Sequence, residues 1–150
     1  MKIELYADGS SNGKTGGLGG WAFVVVIDGA KSYEASGCEA NATNNTMELR
    51  AAINGLEYVA NNYPQCVDIT LISDSQLALN YANGTYRCKK PHLVPFYCKI
   101  RQLHDKLKVT TRWERGHTNE PNNCRCDELA KAARETISSS RPQNIKRDCP

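Results

Sequence analysis

The chain has 150 residues, of which 40% are hydrophobic and 23% are charged, and its formal net charge is +3. This length favours one domain with its own core, and the composition excludes a wholly disordered chain. The longest apolar run, residues 21–27, is too short to cross a bilayer, and the first residues contain no signal-peptide core. We therefore expect a cytoplasmic protein with no membrane partner.

Positive charge is concentrated in the middle of the chain. Residues 87–115 contain nine basic residues and two acidic ones, whereas residues 1–86 contain four basic residues and nine acidic ones. A basic segment of this kind is either a solvated face or a surface that binds a polyanion. The charge alone does not separate these two interpretations.

Seven cysteines are present, an odd number without paired spacing, which is typical of reduced thiols. Cys124 and Cys126 lie near His117, so a thiolate metal site is an alternative. However, a zinc site needs a fourth ligand and usually a two-residue gap between its cysteines. We expect these cysteines to be structural or incidental.

Apolar and polar side chains alternate at the start of the chain, which predicts a strand that ends at Asp8. Residues 9–20 hold six glycines and predict a loop. The β-branched and aromatic run over residues 21–27 predicts a second strand. An Asp-Gly turn follows it and predicts a hairpin with a third strand that ends near Cys38.

From Met47 the apolar residues recur with helical spacing, which predicts a long helix that ends at Pro64. Short apolar runs and helical patterns then alternate. They predict strands over 67–73 and 109–114, helices over 75–82, 96–107 and 123–135, and irregular segments over 84–95 and 116–123. Residues 136–150 are polar and predict a flexible C-terminal tail.

The order of these elements predicts one α/β domain over residues 1–135. The first three strands are joined by short connections, which favour antiparallel pairing, and the last two are separated by helices, which favours parallel pairing. The expected architecture is a mixed five-stranded sheet with helices on both faces.

Four acidic residues lie where predicted strands end or helices begin: Asp8, Glu48, Asp74 and Asp127. Each has a structural explanation of its own; Glu48, for example, fits a capping box that starts at Asn45. Together they are harder to explain in this way, because ligands collect at the carboxyl ends of neighbouring strands. Clustered carboxylates suit Mg²⁺ or Mn²⁺, and two such ions can act on a phosphodiester held by the basic segment.

Four sequence blocks resemble the signature blocks of type 1 ribonuclease H, in the order of that family. They are Tyr6–Ser10, Thr43–Leu49, Ile72–Gln76, and Gly116–Thr118 with Asn123–Ala130. The resemblance implies a ribonuclease H-like fold and an endoribonuclease that hydrolyses the RNA strand of RNA–DNA hybrids by two-metal-ion catalysis. The expected products carry 5′-phosphate and 3′-hydroxyl ends, and the expected cofactors are two Mg²⁺ ions, with Mn²⁺ as the alternative.

The resemblance also implies roles for individual residues. The metal-binding catalytic carboxylates are Asp8, Glu48, Asp74 and Asp127. His117 matches the loop histidine that is expected to assist turnover by moving protons. The residues that contact the minor groove, where the 2′-hydroxyl identifies RNA, are Gly9, Ser11, Asn44, Asn45 and Gln76. A contact to a DNA phosphate is implied for Thr43.

One departure from the family concerns its tryptophan- and lysine-rich handle, for which the segment between the third and fourth blocks is short. Trp21 and Trp113 are the only tryptophans in the sequence. We expect Arg87, Lys89 and Lys90 to take part of the role of the handle in substrate binding.

Two other functions remain open from the sequence. A nuclease of the same fold could act on DNA, although the Thr43–Asn45 block belongs to 2′-hydroxyl recognition. A hybrid-binding module without turnover is the second alternative, and the presence of all four carboxylates argues against it. For each of these functions we expect the protein to be a monomer.

Overall fold

The computed structural model describes residues 1–13, 17–115 and 119–139. Its strands are β1 (Ile3–Ser11), β2 (Gly19–Ile27), β3 (Ala30–Glu39), β4 (Ile69–Ser73) and β5 (Thr110–Trp113). Its α-helices are α1 (Asn44–Asn62), α2 (Gln76–Ala82), α3 (Val94–Leu107) and α4 (Pro121–Ser139), and a 3-10 turn spans Pro91–Leu93. Among these helices, none combines the length and apolar character that a bilayer span requires.

The five strands form one sheet in the order β3-β2-β1-β4-β5. Strand β2 pairs antiparallel with both β1 and β3, whereas β4 pairs parallel with both β1 and β5. The turn between β2 and β3 has positive φ at Asp28 (49°) and Gly29 (86°), which matches the twist of a two-residue hairpin. The mixed five-stranded sheet predicted from the sequence is confirmed.

Helices cover both faces of the sheet. Side chains alternate between the two faces along each strand, so each face carries apolar residues that must be covered. On one face, Ile3, Leu5 and Leu71 belong to a large core that includes residues of α1, α2 and α3. On the other face, Tyr6 and Ile72 belong to a smaller core that α4 covers. The central strands are therefore buried on both sides, which explains the nearly continuous apolar run in β2.

The glycine-rich loop expected over residues 9–20 is shorter than predicted. Strands β1 and β2 remain paired through Ser11 and Gly19, so Asp8 lies inside β1 and not at its end. Glycine occurs in these strands because neighbouring elements approach the backbone closely: a Cβ added at Gly19 would overlap the side chain of Ala42, and one at Gly20 would overlap the carbonyl oxygen of Ala130.

Helix α1 begins three residues earlier than predicted, because its N-terminal cap is Thr43. The Thr43 hydroxyl accepts a hydrogen bond from Thr46 N (3.1 Å), and the Thr46 hydroxyl accepts one from Thr43 N (2.9 Å). The capping box from Asn45 to Glu48, the alternative explanation for Glu48, is therefore not formed. As a consequence, the Glu48 carboxylate has no capping role.

Other helices and strands begin or end a few residues from their predicted positions. Strands β4 and β5 are shorter than predicted, α3 begins at Val94 rather than Phe96, and α4 spans Pro121–Ser139 rather than 123–135. The early start of α3 follows from the 3-10 turn before it, and Pro121 suits the first turn of α4 because its missing N–H needs no partner there. Residues 140–150, the rest of the predicted tail, lie outside the described residues.

Candidate active site

The parallel pairing of β1 with β4 places two carboxylates beside each other. Ile3 pairs with Ile69 and Tyr6 pairs with Ile72, and the same register continued by two residues sets Asp8 opposite Asp74. Strand β4 ends at Ser73, while β1 continues to Ser11 along β2. Strand β5 also ends here, because its last residue, Trp113, pairs with Ser73, and the sheet leaves room for a ligand at the carboxyl end of β4.

Helix α1 brings a third carboxylate to this place. The amide N–H of Gly9 donates a hydrogen bond to Glu48 Oε1 (2.5 Å) and also contacts Asp8 Oδ1 (3.0 Å). A Cβ at Gly9 would overlap the backbone of Met47 and Glu48, so the helix approaches the strand at a distance that only glycine permits. Gly9 thereby fixes the position of Glu48 relative to β1.

Asp8, Glu48 and Asp74 form one cluster, in which a carboxylate oxygen of each lies within 4.8 Å of the others. Burial, followed by the charge of Asp74, raises the pKa of Asp8 to about 7. Burial, followed by the charge of Asp8, raises the pKa of Glu48 well above its usual range. Three carboxyl groups this close repel one another when ionised, and the cluster therefore requires a counter-charge.

A divalent cation fits this requirement. Asp74 Oδ1 is buried and has no hydrogen-bond partner among the residues that the structure describes. A buried acceptor without a hydrogen-bond partner lowers the stability of the fold unless a proton or a cation approaches it. Oxygen ligands from three carboxylates are the donors that Mg²⁺ and Mn²⁺ prefer.

Asp127 does not join this cluster. Its carboxylate lies on α4, is 40% exposed and pairs with Lys131 Nζ at 3.0 Å. It is still close enough to add to the rise in the pKa of Asp8, after burial and Asp74. The structure thus brings together three of the four predicted carboxylates and leaves the fourth beside them.

Contacts on both sides of Asp127 hold α4 against the sheet. Arg125 donates two hydrogen bonds to the Glu34 carboxylate on β3, at 3.0 and 2.7 Å. Cys126 is buried, and its thiol contacts the carbonyl oxygen of Tyr6 at 3.4 Å. In the described part of the chain, the cysteines form no disulfide and the cluster of possible metal ligands contains no thiol.

The residues predicted to contact the minor groove lie in the last residues of β1 and in the first turns of α1 and α2, and we call them the rim. Ser11 donates from its amide (3.0 Å) and its hydroxyl (3.1 Å) to Asn44 Oδ1, which joins the end of β1 to the first residue of α1. Asn45 and Gln76 are exposed in the first turns of α1 and α2. Thr43 is exposed and uses its hydroxyl as the helix cap.

Trp113 belongs to the site, although the sequence assigned it no role. Its indole Nε1 donates to the carbonyl oxygen of Asp74 at 3.0 Å, and its side chain is 46% exposed. The pairing of Ser73 with Trp113 places it there. The sequence signal that could have identified Trp113 as a site residue is its position near the end of a predicted strand, which it shares with Asp74.

Comparison with known proteins decides the family. The family model described as RNase H matches residues 1–135.

The chain belongs to the RNase H family.

Relatives and solved structures agree with this assignment. A ribonuclease H from Geotalea uraniireducens (strain Rf4) is 33% identical over 153 residues, with 95% of this chain and 100% of that protein covered. RNase H1 from Halobacterium salinarum NRC-1 is 27% identical with a TM-score of 0.77, and the match covers 93% and 100% of the two chains. LC11-RNase H1 from compost, solved with an RNA/DNA hybrid, is 26% identical with a TM-score of 0.78 and coverage of 91% and 99%.

Family membership identifies the protein as a metal-dependent ribonuclease H, and the acidic cluster fits that assignment. His117, the loop histidine expected for an RNase H, lies outside the described residues. The structure does describe the residues that follow it, where the Glu120 carboxylate accepts a hydrogen bond from Asn123 N (2.6 Å) at the start of α4. The role of His117 stays a prediction.

The basic segment of this RNase H contains a small exposed group. Arg87, Lys89 and Lys90 are exposed between α2 and the 3-10 turn. None of the three lies within 4.0 Å of a carboxylate in residues 1–13, 17–115 or 119–139, whereas Lys99 and Arg112 are ion-paired. Unpaired cations at this position are available for phosphate groups.

The raised pKa of Asp8 predicts that the metal-free RNase H becomes less stable as the pH rises. In the unfolded chain this carboxyl group ionises near pH 3.8, but in the folded protein its pKa is about 7. The folded state therefore binds more protons between these values, and the free energy of unfolding falls as pH rises through that window and then levels off. Urea denaturation in EDTA at pH 5.5 and pH 8 measures this difference.

Two controls accompany that measurement. The same titration with Mg²⁺ should remove most of the loss, because a bound cation favours the ionised carboxylates. Asp8→Asn should flatten the profile. A metal-free protein that is equally stable at both pH values would contradict the assigned protonation of the cluster.

Proposed function

We propose that this RNase H hydrolyses the RNA strand of RNA–DNA hybrids and leaves 5′-phosphate and 3′-hydroxyl ends. The observation that carries the proposal is the cluster of Asp8, Glu48 and Asp74, whose oxygens lie within 4.8 Å of one another where β4 ends. The similarity to LC11-RNase H1, which is solved with an RNA/DNA hybrid, supports the choice of substrate.

We propose two Mg²⁺ ions, with Mn²⁺ as the alternative, as cofactors. Asp8, Glu48 and Asp74 would hold the metal, and Asp127 would complete the set after leaving Lys131. Bound divalent ions activate a water molecule and stabilise the leaving 3′ oxygen of a phosphodiester. Gly9 holds Glu48 in place through its amide, and His117 is proposed to transfer protons during turnover.

We propose that the RNA strand is recognised by the rim, which contains Gly9, Ser11, Asn44, Asn45 and Gln76. The backbone amide of Ser11 must donate, so the atom of Asn44 that it contacts is the carbonyl oxygen. The amide NH₂ of Asn44 is then left to donate to an acceptor in the minor groove. Hydrogen bonding of this kind near the 2′-hydroxyl distinguishes RNA from DNA.

A cleavage assay with end-labelled substrates tests the proposed function. The hybrid is compared with duplex DNA and duplex RNA of the same sequence, each with Mg²⁺, Mn²⁺ or EDTA. We expect cleavage of the RNA strand of the hybrid with a divalent ion and none in EDTA. Preferred cleavage of DNA would favour another nuclease of this fold, and tight hybrid binding without products would favour a binding module.

The exposed basic group predicts an effect on substrate binding that is separate from chemistry. Replacing Arg87, Lys89 and Lys90 with alanine should raise KM several-fold and leave kcat nearly unchanged, because phosphate contacts bind the ground state and the transition state alike. The dependence of affinity on salt concentration should become weaker, since fewer counterions are released. Steady-state kinetics at four salt concentrations measure both quantities.

A charge-preserving variant, in which Arg87 becomes lysine and both lysines become arginine, is the control for the alanine variant. It should keep the KM and the salt dependence of the wild type. An alanine variant with unchanged KM and salt dependence would reduce this group to a solvated face, and a large loss of kcat would place the segment in the active site.

We also propose that the protein is a monomer in the cytoplasm. The described cysteines form no disulfide, which fits a reducing compartment. Light scattering of the purified protein and fractionation of the source cells test the two statements.

A further inference from the structure

An arginine on α4 reaches across to the end of β1. Arg134 Nη1 donates hydrogen bonds to Ser10 Oγ (2.9 Å) and to the carbonyl oxygen of Ser11 (3.1 Å). The side chain of Arg134 is only 25% exposed. One guanidinium group therefore holds two successive residues of β1, on the side of Asp8 where β4 has already ended.

The backbone of Arg134 is held firmly enough for this role. A Cβ added at Gly20 would overlap the carbonyl oxygen of Ala130 and would lie 2.6 Å from the amide nitrogen of Arg134. Gly20 is also the residue of β2 that pairs with Ser10. Helix α4 thus rests on β2 directly beside the residues that the Arg134 side chain contacts.

Within the described residues, strand pairing supports this end of β1 on one side only. Beyond Asp8 it pairs with β2 on one side, but β4 supplies no partner on the other side. Ser11 fills that side by donating to Asn44 Oδ1 with its amide and its hydroxyl. The position of the Asn44 amide therefore depends on where Ser11 lies.

We propose that Arg134 is a positioning residue for recognition of the ribose strand. It fixes Ser11, and through Ser11 it orients the Asn44 amide toward the minor groove of the hybrid. The proposal rests on the proposed function of the rim and adds a residue outside the family's sequence blocks. Arg134 acts without touching the substrate.

The competing role for an arginine near a polyanion is direct contact with a phosphate, and salt dependence separates the two. Loss of a phosphate contact lowers the slope of log affinity against log salt concentration by about one. Loss of a positioning contact weakens binding at every salt concentration and leaves the slope unchanged. Arg134→Ala is therefore measured for KM and kcat over a range of salt concentrations.

For a positioning residue, we expect Arg134→Ala to raise KM about five-fold and to change kcat by less than about two-fold, since the lost hydrogen bonds are of ordinary strength. Arg134→Lys should recover part of the loss. In the Asn44→Ala background, Arg134→Ala should have a much smaller further effect on KM, because the Asn44 amide that Arg134 positions is then absent.

Hydrogen exchange of the free protein gives a readout that needs no substrate. The Ser11 amide, bonded to Asn44 Oδ1, should exchange faster in Arg134→Ala, while amides in β4 keep their wild-type rates. Arg50→Ala is the matched control: it removes a half-buried arginine that donates to Glu39 at 2.7 Å and should leave both KM and the exchange of Ser11 unchanged.

The outcomes separate the proposal from the function on which it rests. An unchanged exchange rate at Ser11, additive effects of the two substitutions, or a salt slope reduced by about one would each overturn the role of Arg134. Failure of the wild type to cleave hybrid would instead overturn the proposed function. The exchange measurement would still decide whether Arg134 holds Ser11.

Discussion

Replacing Asp8 with asparagine is expected to reduce hybrid cleavage by at least about 100-fold, or about 2.7 kcal/mol of activation free energy, with the fold retained. Asp8 is the buried member of the carboxylate cluster and lies next to both Glu48 and Asp74. Asparagine keeps the shape of the side chain but removes the negative charge that would hold a divalent cation. Single-turnover cleavage with saturating enzyme measures the rate.

The same substitution should stabilise the protein in EDTA at pH 8. At that pH the Asp8 carboxyl group, whose pKa is raised to about 7, ionises in a buried site beside Asp74, and the asparagine removes this charge from the cluster. For a chain of this size each kcal/mol gained raises Tm by roughly 2–4 °C. A variant that retains more than about a tenth of the wild-type rate, a loss below about 1.4 kcal/mol, would remove Asp8 from the catalytic set.

Gly9→Ala is expected to lower both stability and activity. The added Cβ would overlap the backbone of Met47 and Glu48, and helix α1 must move away from β1 to accommodate it. Overpacking of this kind costs about 1–3 kcal/mol of unfolding free energy. Because the Gly9 amide holds Glu48, the displacement also spreads the carboxylate cluster. Thermal unfolding and kcat are measured on the same samples.

Gly29→Ala provides the matched control for this variant. Gly29 lies in the β2–β3 turn with φ of 86° and no atom within 4 Å of an added Cβ. Its replacement should cost about 1 kcal/mol through backbone strain alone and leave kcat unchanged. If Gly9→Ala behaves like Gly29→Ala, with lower stability and full activity, the close approach at Gly9 does not set the position of Glu48.

The architecture was predictable because it rests on periodicity. Alternation in β1, the apolar run of β2 and the helical spacing of α1 each follow from which side chains must leave water. The loop predicted from glycine content is wrong at Gly9, Gly19 and Gly20, which belong to strands β1 and β2. Glycine occurs there because α1 and α4 approach the strands closely, and such tertiary contacts leave no local pattern in a sequence.

Part of the active site was predictable because it follows from the order of the strands. Asp8 and Asp74 follow from strand order, since both lie where β1 and β4 run in parallel. Helical spacing allows the ion pair of Asp127 with Lys131, which lie four residues apart on α4. The distance of Asp127 from the acidic cluster depends instead on how α4 packs against the sheet, and the link from Arg134 to Ser11 joins residues more than 120 positions apart. No spacing rule predicts these two features, because they arise only when the layers have packed.

Helix α4 has a consequence for how the protein is made. It is the last described element, and among the described residues it covers the apolar side chains of Tyr6, Val24 and Ile72 on its face of the sheet. A nascent chain can pack its other face with α1–α3, but this face stays exposed until α4 leaves the ribosome, which favours chaperone binding or aggregation during that interval. Asp127 lies on the same helix, so this face of the sheet is covered and Asp127 comes to lie beside the acidic cluster in one event, after the other described elements have been synthesised.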